Sequence, residues 1–230
     1  MPTRRITASP VKVTGAAPDG QQFESSLEED FFCLLRFNRL VASFEHQPVT
    51  LEWLDALGNI RKYTPDVLVH YRRDDPEAAE LIPMLCEVKP DLSNGKTSPR
   101  RKGQPRTENE GENALRWAAA ERYAAQQGWG FKVYRESEIR TPYLANARFL
   151  LRHCERNDVA QSDLETRLLD VLRIQGPMTL RDWAAAGSTT SLSPVESLPV
   201  CYRLIGIGSV SADLDILLTL DTKVSPRLNA

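Results

Sequence analysis

Cysteine and histidine are both scarce in this chain. Four cysteines (Cys33, Cys86, Cys154, Cys201) and three histidines (His46, His70, His153) are scattered through 230 residues, with no C-x-x-C pair. That spacing gives no support to a zinc site or a Ser/His/Asp triad, and free thiols in a reducing compartment explain the cysteines better than disulfides do. No G-x-G-x-x-G and no P-loop occurs, so nothing points to a nucleotide cradle. No apolar run reaches bilayer length, and the opening MPTRRITASPVKV has basic residues without an apolar segment behind them. The expectation is a cytoplasmic protein with no membrane contact and no secretory signal. Internal repeats are absent. Neither sign of charge dominates: 29 Lys and Arg face 31 Asp and Glu, a net charge of −2. Any nucleic-acid surface must therefore be a local patch.

The charges that are present are unevenly placed. Residues 1–155 hold 22 basic and 22 acidic side chains, whereas 156–230 hold 7 and 9. The first part is the better place for a phosphate-binding patch, and the acidic last part suits a protein contact. A hydrophobic content of 41% and a charged content of 26% are ordinary for a globular protein with its own core.

Periodicity divides the chain into an arm over 1–22, a domain over 23–155 and a second domain over 156–230. ESSLEEDFFCLLRFN (24–38) reads as a helix capped by Ser25 or Ser26, with Leu27, Phe31, Leu34 and Leu35 on its buried stripe. Residues 48–71 read as two strands turning at Gly58-Asn59, and 81–90 as another strand. A helix over 112–128, a strand over 129–136 and a helix over 141–154 follow. Beyond them, helices over 162–176, 178–186 and 193–208 precede a hairpin over 209–220 that turns at Ala212-Asp213. Three helices and a hairpin are winged-helix organisation.

Chemistry concentrates in two short signals, Pro65-Asp66 and Glu87-Val88-Lys89. The spelling is PD, a spacer, then E-x-K. Strand alternation places Glu87 and Lys89 on one face, about 6.6 Å apart along the chain. Taken alone, the pair is equally a surface ion pair. Taken with Asp66, it has what metal-dependent phosphodiester hydrolysis needs. Two carboxylates from neighbouring strands are hard oxygen ligands for Mg²⁺, and the Val88 carbonyl between them is a further donor. A cation such as Lys89 balances charge at the phosphate or the attacking water. Pro65 interrupts a strand where Asp66 must be aimed.

Four motifs in order, SSLEEDF, FEHQPVTLEW, RKYTPDVLV and LCEVKP, resemble the TnsA family, the endonuclease subunits of heteromeric bacterial transposases. The resemblance spans about residues 23–155 in motifs and reaches about 220 in organisation. It implies an α/β fold: a restriction-endonuclease-like PD-(D/E)xK domain with a mixed central sheet flanked by helices, followed by a winged helix. It also implies that Glu28 is the helix-borne acid, with Glu29 as its rival one residue on. Asp66 becomes the central metal ligand, Glu87 the second carboxylate and Lys89 the catalytic lysine. Mg²⁺ is the implied cofactor, with Mn²⁺ able to substitute. The implied partners are DNA at the transposon ends, an integrase-like transposase (TnsB) and an AAA+ regulator (TnsC) met through the C-terminal part. On this reading the chain cuts the 5′ sides of the ends while its partner cuts and joins the 3′ sides, in the bacterial nucleoid.

Two other readings stay open. One is a restriction- or repair-type nuclease of the same class, and the other is a DNA-binding adaptor with a dead nuclease fold. The lead-in motifs and C-terminal organisation speak against the first, and the joint presence of Glu28, Asp66, Glu87 and Lys89 against the second. Lys96, Arg100, Arg101, Lys102 and Arg106 form a basic stretch that either grips phosphates or is a solvated loop. Trp117 and Tyr123 read as core residues. His70 shares the Asp66 face by alternation, and a packed role suits it better than a site role. Gln47-Pro48 fits the family pattern without a derivable chemistry.

Overall fold

Acidic side chains at the start of a segment and an apolar stripe behind them make the first long helix. In the computed structural model, which describes residues 15–16, 22–23, 25–91, 110–154, 162–189 and 193–227, it is α1 (Ser26–Phe37). Ser25 caps it by accepting the Glu28 N–H, and Glu28 and Glu29 lie in the first turn where the helix dipole favours them. Ahead of it, β1 (Gly15–Ala16), in the expected arm, pairs antiparallel with β2 (Gln22–Phe23), which straddles the arm's expected end.

The strands that follow are β3 (Val41–His46), β4 (Leu51–Leu54), β5 (Ile60–Tyr63), β6 (Val67–Tyr71) and β7 (Met84–Lys89). Then come α2 (Glu110–Gln126), β8 (Gly130–Arg135) and the short α3 (Glu136–Ile139). Residues 48–71 thus hold three strands rather than two. Pro65 divides them, because it has no N–H for a ladder. The β4–β5 hairpin stays a two-stranded sheet, and the chain passes after Pro65 into a four-stranded sheet of order β3-β6-β7-β8. There β3–β6 and β6–β7 are antiparallel and β7–β8 parallel, so the central sheet is mixed.

The sheet is covered on both faces. Leu27, Phe31, Phe32 and Leu35 of α1 pack with Val67, Val69, Cys86, Val88 and Ile139 on one side. Ala120 and Ala124 of α2, with Leu51 and Tyr63 of the hairpin, pack with Leu68 and Leu85 on the other. Successive residues of β6 and β7 therefore enter different cores, as the pleat requires. At the hairpin tip Gly58 takes φ +80°, and Asp55 accepts the N–H groups of Leu57 and Asn59. Those bonds hold the Asp55 carboxyl down at about 2.

Two compact units divide the chain at Ile139/Arg140, earlier than the boundary at 155/156 expected from the sequence. Ile139 is buried in the core on the α1 face and closes the first unit. The second begins with α4 (Pro142–Cys154), which packs against a later helix, α7 (Pro194–Gly206). Between them lie α5 (Ser162–Gln175), β9 (Met178–Thr179) and α6 (Leu180–Ala186). After α7 come β10 (Val210–Ala212) and β11 (Lys223–Pro226). Trp183 is fully buried and donates its indole N–H to the Leu168 carbonyl at 2.8 Å. α7 runs on through Pro199, anchored by a capping box at Ser193/Glu196 and by buried Val200, Cys201 and Leu204.

The expected helix over 178–186 gives up its first two residues to β9, which completes an antiparallel sheet of order β10-β11-β9. The expected hairpin over 209–220 is also redrawn: its second strand is β11, and 213–222 is a long connection. Asn146, buried on α4, is the reason. Its Nδ2 donates to the Leu214 and Ile216 carbonyls at 2.8 and 2.7 Å, and its Oδ1 accepts the Leu218 N–H at 2.9 Å. The Leu214–Leu218 backbone pairs with a side chain instead of a strand. Asn146→Ala is expected to lower stability by about 3 kcal/mol, read by urea unfolding, and to speed hydrogen exchange at the Leu218 amide. Among the described residues no helix is long and apolar enough to cross a membrane.

Candidate active site

The antiparallel register of β6 on β7 pairs Val67 with Cys86 and Leu68 with Leu85. One step further sets Asp66 opposite Glu87. Two ladder-like bonds fix Asp66 there: its N–H donates to the Cys86 carbonyl at 3.1 Å, and its carbonyl accepts the Gln47 N–H at 2.7 Å. Its side chain is pinned too, with Oδ2 accepting the Val88 N–H at 2.7 Å. Gln47 reaches this position in the left-handed region, at φ 49°, which is costly for a residue with a side chain, the more so before proline. The Gln47-Pro48 step ends β3 at the level of Asp66. It is backbone strain held at the site rather than side-chain chemistry.

Glu87 is almost wholly buried and each of its oxygens is engaged. Oε1 meets Lys89 Nζ at 2.6 Å, and Oε2 accepts the Tyr63 hydroxyl at 2.7 Å. Arg116 of α2 brings a second cation to Oε1, at 3.9 Å. The Tyr63 hydroxyl is held protonated by burial and by Glu87 beside it. For Lys89, burial pulls the amine down, but Glu87 and Asp66 outweigh it and the net shift is upward. For Asp66, burial and the Glu87 charge push the carboxyl up. Lys89 and the Val88 N–H pull it back and Glu28 adds to the rise, leaving it well above the ordinary carboxylate range.

Of the two acids on α1, Glu28 is the one whose charge bears on Asp66, whereas the charge of Glu29 is felt at Cys33. Ser25 Oγ lies 3.1 Å from Glu28 Oε1, and the His46 ring comes within 3.6 Å of its other oxygen. His46 is buried edge-on to Phe32, and neither ring nitrogen has a hydrogen-bond partner among the described residues.

The structure therefore brings Asp66, Glu87 and Lys89 together, with Glu28 within electrostatic reach. His70 stands apart, 3.3 Å from Glu45 on the partly exposed end of β6. Trp117 and Tyr123 pack against the core under α2, as expected. Lys96, Arg100, Arg101, Lys102 and Arg106 lie outside the described residues. Tyr63, Arg116 and His46 were not singled out from the sequence. Only the tyrosine in KYTPD sits close enough to Asp66 in the chain to have drawn notice.

Among the described residues no group of three or more His, Cys, Asp and Glu side chains stands ready as a cation cage. The physical reason is visible at Glu87, whose oxygens are turned to Lys89 and Tyr63. The donor chemistry nevertheless fits a hard divalent ion. Asp66 and Glu87 stand opposite each other on neighbouring strands, the charge of Glu28 reaches Asp66, and the Asp66 carboxyl is pushed up first by burial and then by the Glu87 charge.

Comparison with known proteins meets this geometry. No curated protein matches the chain. The family model described as TnsA-like endonuclease N terminal matches residues 38–136, a span that contains Asp66, Glu87, Lys89, Tyr63 and Arg116 and leaves Glu28 and the second unit outside. The mixed sheet with helices on both faces fits a restriction-endonuclease-like domain. Over residues 38–136 this chain is similar to the TnsA-like endonuclease N-terminal domain.

Proposed function

We propose that the chain is the DNA endonuclease subunit of a heteromeric cut-and-paste transposase, hydrolysing the phosphodiester bond at the 5′ sides of transposon ends. One observation carries the reading. Asp66 stands across from Glu87, with Lys89 Nζ 2.6 Å from Glu87 Oε1, inside a TnsA-like endonuclease domain. Asp66 and Glu87 would hold a Mg²⁺ ion, with the Val88 carbonyl and Glu28 as further oxygen donors and Mn²⁺ as a substitute. Such an ion would supply a Lewis acid for the scissile phosphate and would ease deprotonation of the attacking water.

The chain's own groups orient and balance. The Val88 N–H holds one oxygen of Asp66 and leaves the other for a ligand. The Tyr63 hydroxyl fixes the rotamer of Glu87. Lys89, kept protonated beside Glu87, is a fixed cation where negative charge builds on the phosphate, and in that state it is no general base. Glu28 adds negative charge from the α1 side.

The second unit is read as a winged helix: α5, α6 and α7 in order, with β9, β10 and β11 as its sheet. The acidic balance of residues 156–230, 7 basic against 9 acidic side chains, suits contact with the AAA+ regulator TnsC rather than with phosphates. TnsB is the partner that would cut and join the other strand, and the basic stretch from Lys96 to Arg106 would follow the DNA backbone. The test is cleavage of a plasmid bearing transposon ends by the chain with TnsB-type and TnsC-type partners in Mg²⁺. Breaks at the 5′ sides should require this chain and vanish with a chelator. The same breaks without the chain would overturn the reading.

A further inference from the structure

Arg116 brings a second cation to a carboxylate that is already satisfied. Glu87 Oε1 has Lys89 at 2.6 Å and Oε2 has the Tyr63 hydroxyl at 2.7 Å, whereas the Arg116 guanidinium stops at 3.9 Å, beyond hydrogen-bond reach. Its Nε is buried and has no acceptor among the described residues. What holds the guanidinium is ring stacking: its carbon lies 5.3 Å from the centre of the Tyr63 ring and 5.8 Å from that of Trp117. Both rings lie against the guanidinium, and its Nε is left without an acceptor among the described residues. Arg116 also repels the charge on Lys89. Two cations share one carboxylate, an arrangement that favours the arrival of a further anion. The Arg116 side chain is a quarter exposed and that of Lys89 about a fifth, so both are reachable.

We infer that Arg116 is a phosphate-binding residue of this site, its guanidinium taking a non-bridging oxygen of the scissile phosphate beside Lys89. A planar guanidinium offers two parallel donors to a phosphate, which a lysine cannot do. Were Glu87 to turn toward a divalent cation, Lys89 and Arg116 would lose their shared partner, and the incoming phosphate would replace it. Tyr63 acts through both neighbours: its hydroxyl orients Glu87 while its ring positions Arg116.

The inference rests on the nuclease reading above, and the experiment separates the two. Binding of the full chain to a transposon-end duplex is measured in Ca²⁺, with a natural scissile phosphate or with a neutral methylphosphonate at that one position. On natural DNA, Arg116→Ala is expected to weaken binding by about tenfold to a hundredfold, and Arg116→Lys by less. The logarithmic salt slope should shrink by about 1. On the methylphosphonate duplex, wild type and Arg116→Ala should bind alike. Equal weakening of both duplexes by Arg116→Ala, in a variant whose thermal unfolding is unchanged, would overturn the assignment. Full binding by Arg116→Ala would do the same. If the wild type binds the ends but never cuts them in Mg²⁺ with its partners, the nuclease reading falls first and this one with it.

Discussion

Asp66→Asn is expected to abolish cleavage, by a factor of about 10³ or more, and to leave the protein at least as stable as the wild type. Both halves come from one geometry. The asparagine carbonyl can keep the bond from the Val88 N–H that Asp66 Oδ2 accepts at 2.7 Å, and the backbone bonds to Cys86 and Gln47 are untouched. What disappears is a carboxylate that burial, Glu87 and Glu28 all disfavour. Because the folded carboxyl titrates above the unfolded one, the native state binds more protons across that interval. Stability therefore falls as pH rises through it and stays lower above it. Asparagine does not titrate, so the variant should escape that fall. Urea midpoints measured from about pH 4 to about pH 8 should cross over, with the variant ahead at the alkaline end. A variant that cuts normally, or one that loses stability at neutral pH, would show that Asp66 is an ordinary structural carboxylate.

Glu87→Ala should do the opposite to stability while also ending cleavage. The Glu87 side chain is 3% exposed and is the partner of both Lys89 and Tyr63. Its removal strands a buried hydroxyl and leaves Lys89 facing Arg116 without its hydrogen-bonded counter-charge. Breaking a buried pair in this way costs about 3–5 kcal/mol. The companion variant is Glu87→Met with Lys89→Met, which replaces the pair by apolar side chains of similar length. It should recover most of the lost stability and none of the activity. Urea unfolding of the single and double variants reads the coupling directly. A loss below about 1 kcal/mol in Glu87→Ala would mean that the pair is exposed and weak.

Much of this site was legible because its signals are local. Glu87 and Lys89 share a face by strand alternation alone, and they meet at 2.6 Å. Ser25, the acids behind it and the apolar stripe define α1 without any tertiary information. Pro65 announced a break in the strands, and the break is where the hairpin hands over to the central sheet. The rest depends on contacts between distant segments. The Asp66–Glu87 juxtaposition needs the register of β6 on β7, which periodicity does not supply. Tyr63 lies 24 residues from Glu87 in the chain, and Arg116 is carried in by α2. Neither position differs in sequence from a packed aromatic or a solvated helix charge. β3 escaped notice because it is an edge strand whose Ala42, Ser43 and Glu45 are exposed, so its apolar alternation is lost. Asn146 looked like a poor helix residue. Its value lies in the three backbone groups it serves across the second unit.

The most direct measurement maps breaks at single-nucleotide resolution on DNA carrying both transposon ends, with the chain supplied as wild type or as Asp66→Asn beside the proposed TnsB-type and TnsC-type partners in Mg²⁺. The wild type should give breaks on both strands at each end. Asp66→Asn should lose the 5′-side breaks and keep the 3′-side cutting and joining made by the partner. Unchanged 5′-side breaks with Asp66→Asn would contradict the assignment of that strand's hydrolysis to this site.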